Sequence, residues 1–125
     1  MLEKFNILVV DDYLDNRYLL SQFLDIIGVK HSEVTNGKEC LEKLKSQQFD
    51  LIFMDIEMPV MNGYETTRYI RENFSGMQAQ IPIIAITAHA GYEFESKIKT
   101  IGFNDFVSKP YSMPKLKAIL EKHLL

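Results

Sequence analysis

The chain has 125 residues, the length of a single domain with one core and one site. Its 46% apolar and 25% charged residues exclude a disordered chain, and 17 acidic against 14 basic residues argue against nucleic-acid binding by the surface as a whole. No apolar run approaches the roughly 20 residues of a membrane span. Met1 to Lys4 lacks a signal-peptide layout and the lone Cys40 has no disulfide partner, so the expectation is a soluble cytoplasmic domain without membrane insertion.

Apolar runs and helical patterns alternate along the chain. Ile7-Leu8-Val9-Val10 is a continuous β-branched run of the kind buried on both sheet faces. Leu20, Phe23, Leu24 and Ile27 then form one helical stripe, closed by Gly28. His31 to Val34 is a polar strand suited to an edge. Cys40, Leu41 and Leu44 mark a second helix with Asn36 as its N-cap.

Leu51-Ile52-Phe53-Met54 is the next buried strand. Pro59 and Gly63 break the following loop, and Thr67, Ile70 and Phe74 line a third helix. Asn73 to Gln80 is a short polar connection. Pro82 opens a fourth strand, Ile83 to Ile86, and Phe94, Ile98 and Ile101 give a helix stopped at Gly102. Phe106-Val107 is a short fifth strand, and Leu116, Ile119 and Leu120 line the last helix. Five strands alternating with five helices predict a mainly parallel sheet covered on both faces, a three-layer α/β/α sandwich.

Polar residues collect at the ends of these strands. Asp11 and Asp12 follow the first, Asp55 the third and Thr87 the fourth, while Lys109 comes two residues after the fifth. In a parallel sheet these are all carboxyl ends, so they meet at the edge where open α/β sheets bind ligands. Three carboxylates about 5 Å apart repel by roughly 3 kcal/mol per ionised pair at an effective dielectric near 20. A divalent cation relieves that repulsion, and oxygen donors without clustered His or Cys point to Mg²⁺. A carboxylate beside Mg²⁺ can act as a nucleophile on phosphorus, with a lysine neutralising the equatorial oxygens and Thr87 donating to one of them.

Val9-Val10-Asp11-Asp12, Asp55-Ile56-Glu57-Met58-Pro59-Val60-Met61-Asn62-Gly63, Ala85-Ile86-Thr87-Ala88 and Lys109-Pro110, in this order and spacing, resemble the receiver domain of two-component response regulators. The resemblance covers essentially the whole chain, making residues 1–125 one receiver domain. It implies a flavodoxin-like doubly wound parallel sheet of order 2-1-3-4-5. Asp55 is the implied phosphoacceptor, taking a phosphoryl group from a histidine kinase or histidine phosphotransfer protein. Asp12 would ligate Mg²⁺ directly, with Asp55 and the Glu57 backbone carbonyl, and Asp11 mainly through a water. Thr87 and Phe106 would be the switch pair, Lys109 the phosphate-binding ammonium, and the Lys109-Pro110 bond cis.

In that reading the domain is no conventional enzyme but catalyses its own phosphorylation and dephosphorylation. Phosphate draws Thr87 inward, Phe106 fills the vacated space by packing alone, and the surface carried by residues 90–123 changes for a partner or for homodimerisation. The charge pattern fits a partner surface there: six lysines and two acids from Lys97 onward give +4, against −7 for residues 1–96. A solvated basic face is the plainer account. Glu57 and His89 would flank the path of attacking water. Asp15-Asn16-Arg17 and Thr87-Ala88-His89-Ala90 resemble receivers fused to hybrid histidine kinases, leaving open a stand-alone receiver or a piece of such a kinase.

Each residue alone has a plainer reading. An Asp pair after a strand is often a turn and N-cap, which Asp12 or Asp15 could supply here. Thr87 could cap the next helix, and Lys109 could be a surface lysine. His31, His89 and His123 lack ligand spacing. Cys40 reads as a core thiol, Met54, Met58 and Met61 as packing, and Tyr64, Tyr69 and Tyr92 as ordinary surface or half-buried aromatics. Rival functions fit worse. A Mg²⁺-dependent phosphohydrolase of the haloacid dehalogenase type needs Asp-x-Asp after the first strand, whereas Asp11 and Asp12 are adjacent and Tyr13 follows. A flavodoxin-like carrier needs a hydroxyl- and Gly-rich phosphate loop there. A phosphorylation-independent binding module has no need of Asp12, Asp55, Thr87 and Lys109 together.

Overall fold

The computed structural model describes every residue except His89 and Ala90, together with all side chains but those two and Tyr92. After a 3-10 turn at Leu2–Lys4, the elements in order are β1 (Asn6–Val10), α1 (Leu14–Ile27), β2 (Lys30–Val34), α2 (Gly37–Ser46), β3 (Leu51–Asp55) and α3 (Gly63–Asn73). A second 3-10 turn, Gly76–Gln80, leads to β4 (Ile83–Thr87), α4 (Tyr92–Ile101), β5 (Asp105–Ser108) and α5 (Met113–Leu124). The five strands pair in parallel in the order β2-β1-β3-β4-β5, as the resemblance implied.

Strand alternation divides the core in two. Leu8 and Val10 of β1 join Ile52 and Met54 of β3 under α2, α3 and α4, through Cys40, Leu44, Ile70 and Ile98. Ile7 and Val9 join Phe53, Ile84 and Ile86 under α1 and α5, through Leu20, Leu24, Leu116 and Leu120. All these side chains are essentially inaccessible, which is why β1, β3 and β4 read as unbroken apolar runs. At about 1.5–3 kcal/mol for each large aliphatic side chain, their burial supplies the main driving force for folding. The polar β2 lies at the edge, with Lys30 and Glu33 exposed and Val34 alone buried.

Helix ends follow local chemistry. Asn36 caps α2 by accepting the Glu39 N–H at 2.9 Å, as its sequence position suggested. Gly28 ends α1 in the left-handed region, φ 93°, where a Cβ would be costly. Asn62 and Glu65 form a reciprocal capping box at the start of α3. Phe74, expected inside α3, is instead its extended C-cap residue, yet its ring still packs on the core. Asp105 and Ser108 extend the fifth strand, so Lys109 follows it directly.

Arg71 of α3 ties together the end of the sheet remote from the polar residues. Its guanidinium donates to the Gly102 carbonyl at 2.9 Å, the Ala79 carbonyl at 3.0 Å and Asn104 Oδ1 at 2.8 Å. Asn104 Oδ1 also accepts the Ile83 N–H at 2.8 Å. Three otherwise unrelated segments are thereby fixed around the entry to β4 and β5. Among the described residues no helix is long and apolar enough to cross a membrane.

Candidate functional site

The β1, β3 and β4 strands deliver Asp11, Asp55 and Thr87 to one edge, and the turn after β5 brings Lys109 there. Asp11 is held by three hydrogen bonds, its N–H donating to the Val34 carbonyl at 3.2 Å. Its Oδ1 accepts the Tyr13 N–H at 2.9 Å, and its carbonyl accepts from Arg17 Nη1 at 2.9 Å. The turn reading is therefore correct for Asp11. The capping readings are not: Tyr13 occupies the N-cap of α1 without a side-chain cap, and Asp15 lies in its first turn. Gly91 is the N-cap of α4, so Thr87 does not cap that helix either.

Carboxylate oxygens of Asp11, Asp12 and Asp55 all lie within 4.8 Å of one another. Asp11 and Asp55 are buried, whereas Asp12 is exposed. Lys109 Nζ lies 3.7 Å from Asp55 Oδ1, and its backbone N–H donates to the Thr87 carbonyl at 2.8 Å, tying the two loops together. The Lys109-Pro110 peptide is cis, as expected.

The electrostatics follow from this crowding. Burial, and next the Asp11 charge, push the Asp55 carboxyl up from 3.8 to about 7, with Lys109 opposing. Burial likewise raises Asp11. Tyr111, buried beside them, is raised by burial and by the charges of both aspartates, and its hydroxyl donates to the Asn16 carbonyl at 3.1 Å. Asp11 Oδ2 is buried without a hydrogen-bond donor among the described residues. Such an orphaned acceptor between two further carboxylates, with no His or Cys in the cluster, is the donor set of a hard cation. The residues present therefore fit a divalent metal ion.

The loop after β3 forms one wall. Gly63 packs so tightly that a Cβ would lie 2.4 Å from the Asp55 carbonyl and 2.9 Å from Ile56 Cα. Its N–H donates to the Ile56 carbonyl at 2.9 Å. Val60 in the same loop has φ 71°, an unusual conformation for a β-branched residue. The resulting cleft, about 770 Å³, is lined by Asp12, Asp55, Glu57, Thr87 and Lys109 among others.

Tyr64, Phe94 and Lys97 also line the cleft, where the sequence marks them only as an ordinary aromatic, a helix-stripe residue and part of a basic face. Tyr64 is half-buried, as expected, but its ring also supports the Lys97 ammonium, 4.4 Å from the centroid. Phe94 borders the cleft and meets Phe106 edge-on, with centroids 5.6 Å apart. The expected switch aromatic is thus one ring away from the acidic site. His89, expected to flank the path of water, lies outside the described residues.

Comparison with known proteins agrees with this geometry. The response regulator receiver domain family matches residues 7–121. The chain belongs to that family. Its function is the family's, a receiver domain of two-component phosphorelay signalling that is phosphorylated on an aspartate of the acidic pocket. The receiver is 38% identical over 120 residues to Two-component response regulator 24 of Arabidopsis thaliana, covering 95% of this chain and 84% of that protein. It is 37% identical to the sensor protein EvgS of Escherichia coli, over 96% of this chain but only 10% of that much longer protein.

Among solved structures, chemotaxis protein CheY4 of Vibrio cholerae superposes with a TM-score of 0.87 at 29% identity, covering 96% of this chain and 98% of that one. The receiver domain of sensor histidine kinase PA1611 from Pseudomonas aeruginosa has a TM-score of 0.85 at 31% identity, covering 95% and 96%. That structure has a magnesium ion coordinated in its active site cleft.

Proposed function

We propose that Asp55 is the phosphoacceptor and that Mg²⁺ is held by Asp11, Asp12, Asp55 and the Glu57 backbone carbonyl. The observation that carries this reading is the convergence of three acid oxygens within 4.8 Å, one of them on a buried aspartate with a lysine ammonium 3.7 Å away. The magnesium-bound PA1611 receiver supports the choice of metal. Bound there, the cation offsets the carboxylate charge and the charge on the transferring oxygens.

An Asp55 carboxylate oxygen attacks the phosphorus of a phosphohistidine on a histidine kinase or phosphotransfer protein. The phosphorus–nitrogen bond breaks with its electron pair going to the imidazole, and an acyl phosphate forms on Asp55. Lys109, already beside Asp55 Oδ1, is placed to neutralise one phosphoryl oxygen, and the Thr87 hydroxyl to donate to another. Movement of Thr87 frees space for the Phe106 ring, and Phe94, packed against it, carries the change toward α4. Partner recognition, of a downstream protein or a second copy, falls on residues 90–123.

Residues 1–125 act as one receiver domain in the cytoplasm, either alone or fused to a hybrid kinase. The test is incorporation of hydroxylamine-labile phosphate from acetyl phosphate with and without Mg²⁺, beside Asp55→Asn. Label that requires Mg²⁺ and disappears in the variant is expected. Its absence from the wild type would favour a binding module that works without phosphorylation.

A further inference from the structure

We propose that Lys97 is a guiding cation for the phosphodonor, recognising the dianionic phosphoryl group in the cleft before Lys109 takes it over. This role rests on the reading of Asp55 as phosphoacceptor. Lys97 projects from α4 into the lining of the same cleft as Asp55 and Lys109. A lysine stem is normally free to swing in solvent. Here the ammonium sits 4.4 Å from the Tyr64 ring centroid, and that ring is itself braced edge-on by Phe103 at 6.2 Å.

The two lysines differ in their commitments. Lys109 is paired with Asp55, whereas Lys97 makes no ion pair among the described residues and rests on a neutral aromatic face. A phosphoryl dianion attracts an ammonium more strongly than a ring quadrupole does, so the ring holds the cation in place without consuming its charge. The cleft therefore presents one cation at the nucleophile and a second, exposed, elsewhere on its lining. Acid groups dominate its floor and would otherwise repel an anionic donor.

The sign of the electrostatics separates this role from a structural strap between α3 and α4. Removing a positive charge should impair use of an anionic donor while leaving Mg²⁺ binding unchanged or tighter. Loosening the cleft should impair both. The experiment measures the second-order rate constant for labelling of the full chain by acetyl phosphate at saturating Mg²⁺, for wild type, Lys97→Ala, Lys97→Arg and Asp55→Asn. Ionic strengths of about 0.05 and 0.5 M bracket weak and strong screening. Mg²⁺ affinity is read separately from its effect on the thermal midpoint. Phosphoramidate, which shares only the phosphoryl group with acetyl phosphate, forms a second arm.

Lys97→Ala should lower the rate constant about three- to tenfold at low salt, with most of the difference lost at high salt. Lys97→Arg should stay within about twofold of wild type, since it keeps the charge. Both donors should show the effect. A Lys97→Ala rate equal to wild type at low salt overturns the proposal. So does a loss that persists at high salt, a parallel weakening of Mg²⁺, or an effect confined to one donor. Label retained by Asp55→Asn shows that the acceptor was misassigned, whatever Lys97 does, and a wild type that takes no label overturns both.

Discussion

Replacing Asp55 by Asn should make the metal-free receiver more stable at neutral and alkaline pH, although it removes the central residue of the site. The folded carboxyl is raised from 3.8 to about 7 by burial and by Asp11. Between about pH 4 and 7, the folded chain keeps a proton on Asp55 that the unfolded chain has already released. Stability is therefore lost as pH rises through that window and is regained on acidification. The full displacement corresponds to roughly 4 kcal/mol. Solvent in the open cleft screens the charges, and about 1–3 kcal/mol is the realistic gain for the variant near pH 8. Loss of the Lys109 partner opposes this by under about 1 kcal/mol, because that lysine is partly exposed. Urea melts followed by far-UV circular dichroism at about pH 8 and pH 4.5 measure the gap. It should shrink several-fold at the lower pH, and added Mg²⁺ should stabilise the wild type more than the variant at the higher one. A variant less stable than wild type at pH 8, or a gap independent of pH, would show that the Asp55 charge is not a cost to the folded state.

Gly63→Ala forces a Cβ to within 2.4 Å of the Asp55 carbonyl, so the loop must shift. Stability should fall by more than about 2 kcal/mol, with loss of phosphorylation in the same preparation, checked by urea melts and phosphate labelling. Val60→Gly relieves a β-branched residue at φ 71° and should raise the thermal midpoint by a few degrees, equivalent to about 1 kcal/mol, in calorimetry. Thr87→Ala should still take phosphate on Asp55, yet its partner binding should no longer respond to phosphorylation. An unchanged response in a pull-down with and without phosphate would discard the Thr87–Phe106 coupling.

The fold was legible because β1, β3 and β4 are buried on both faces and leave runs such as Ile7 to Val10 that nothing else explains. The polar β2 identified itself as an edge for the converse reason. The acidic site was equally visible, since strand ends in a parallel sheet share one edge whatever the helices do. What stayed hidden depends on side chains meeting across elements. Arg71 reaches the Ala79 carbonyl in one connection and the Gly102 carbonyl and Asn104 side chain in another, and no local pattern marks that. Lys97 and Tyr64 lie on different helices and meet only through the packing of α3 on α4. The conformation of Val60 is set by the loop that Gly63 closes, not by its own preference.

Chemical trapping locates the phosphoryl group that Asp55 is proposed to carry. Borohydride reduction of the labelled receiver converts an aspartyl phosphate to homoserine, and peptide sequencing by mass spectrometry then locates it. Homoserine at position 55, formed only when Mg²⁺ was present, is the predicted result. Homoserine at position 11 or 12, or label that survives borohydride on another residue type, would show that Asp55 is not the acceptor.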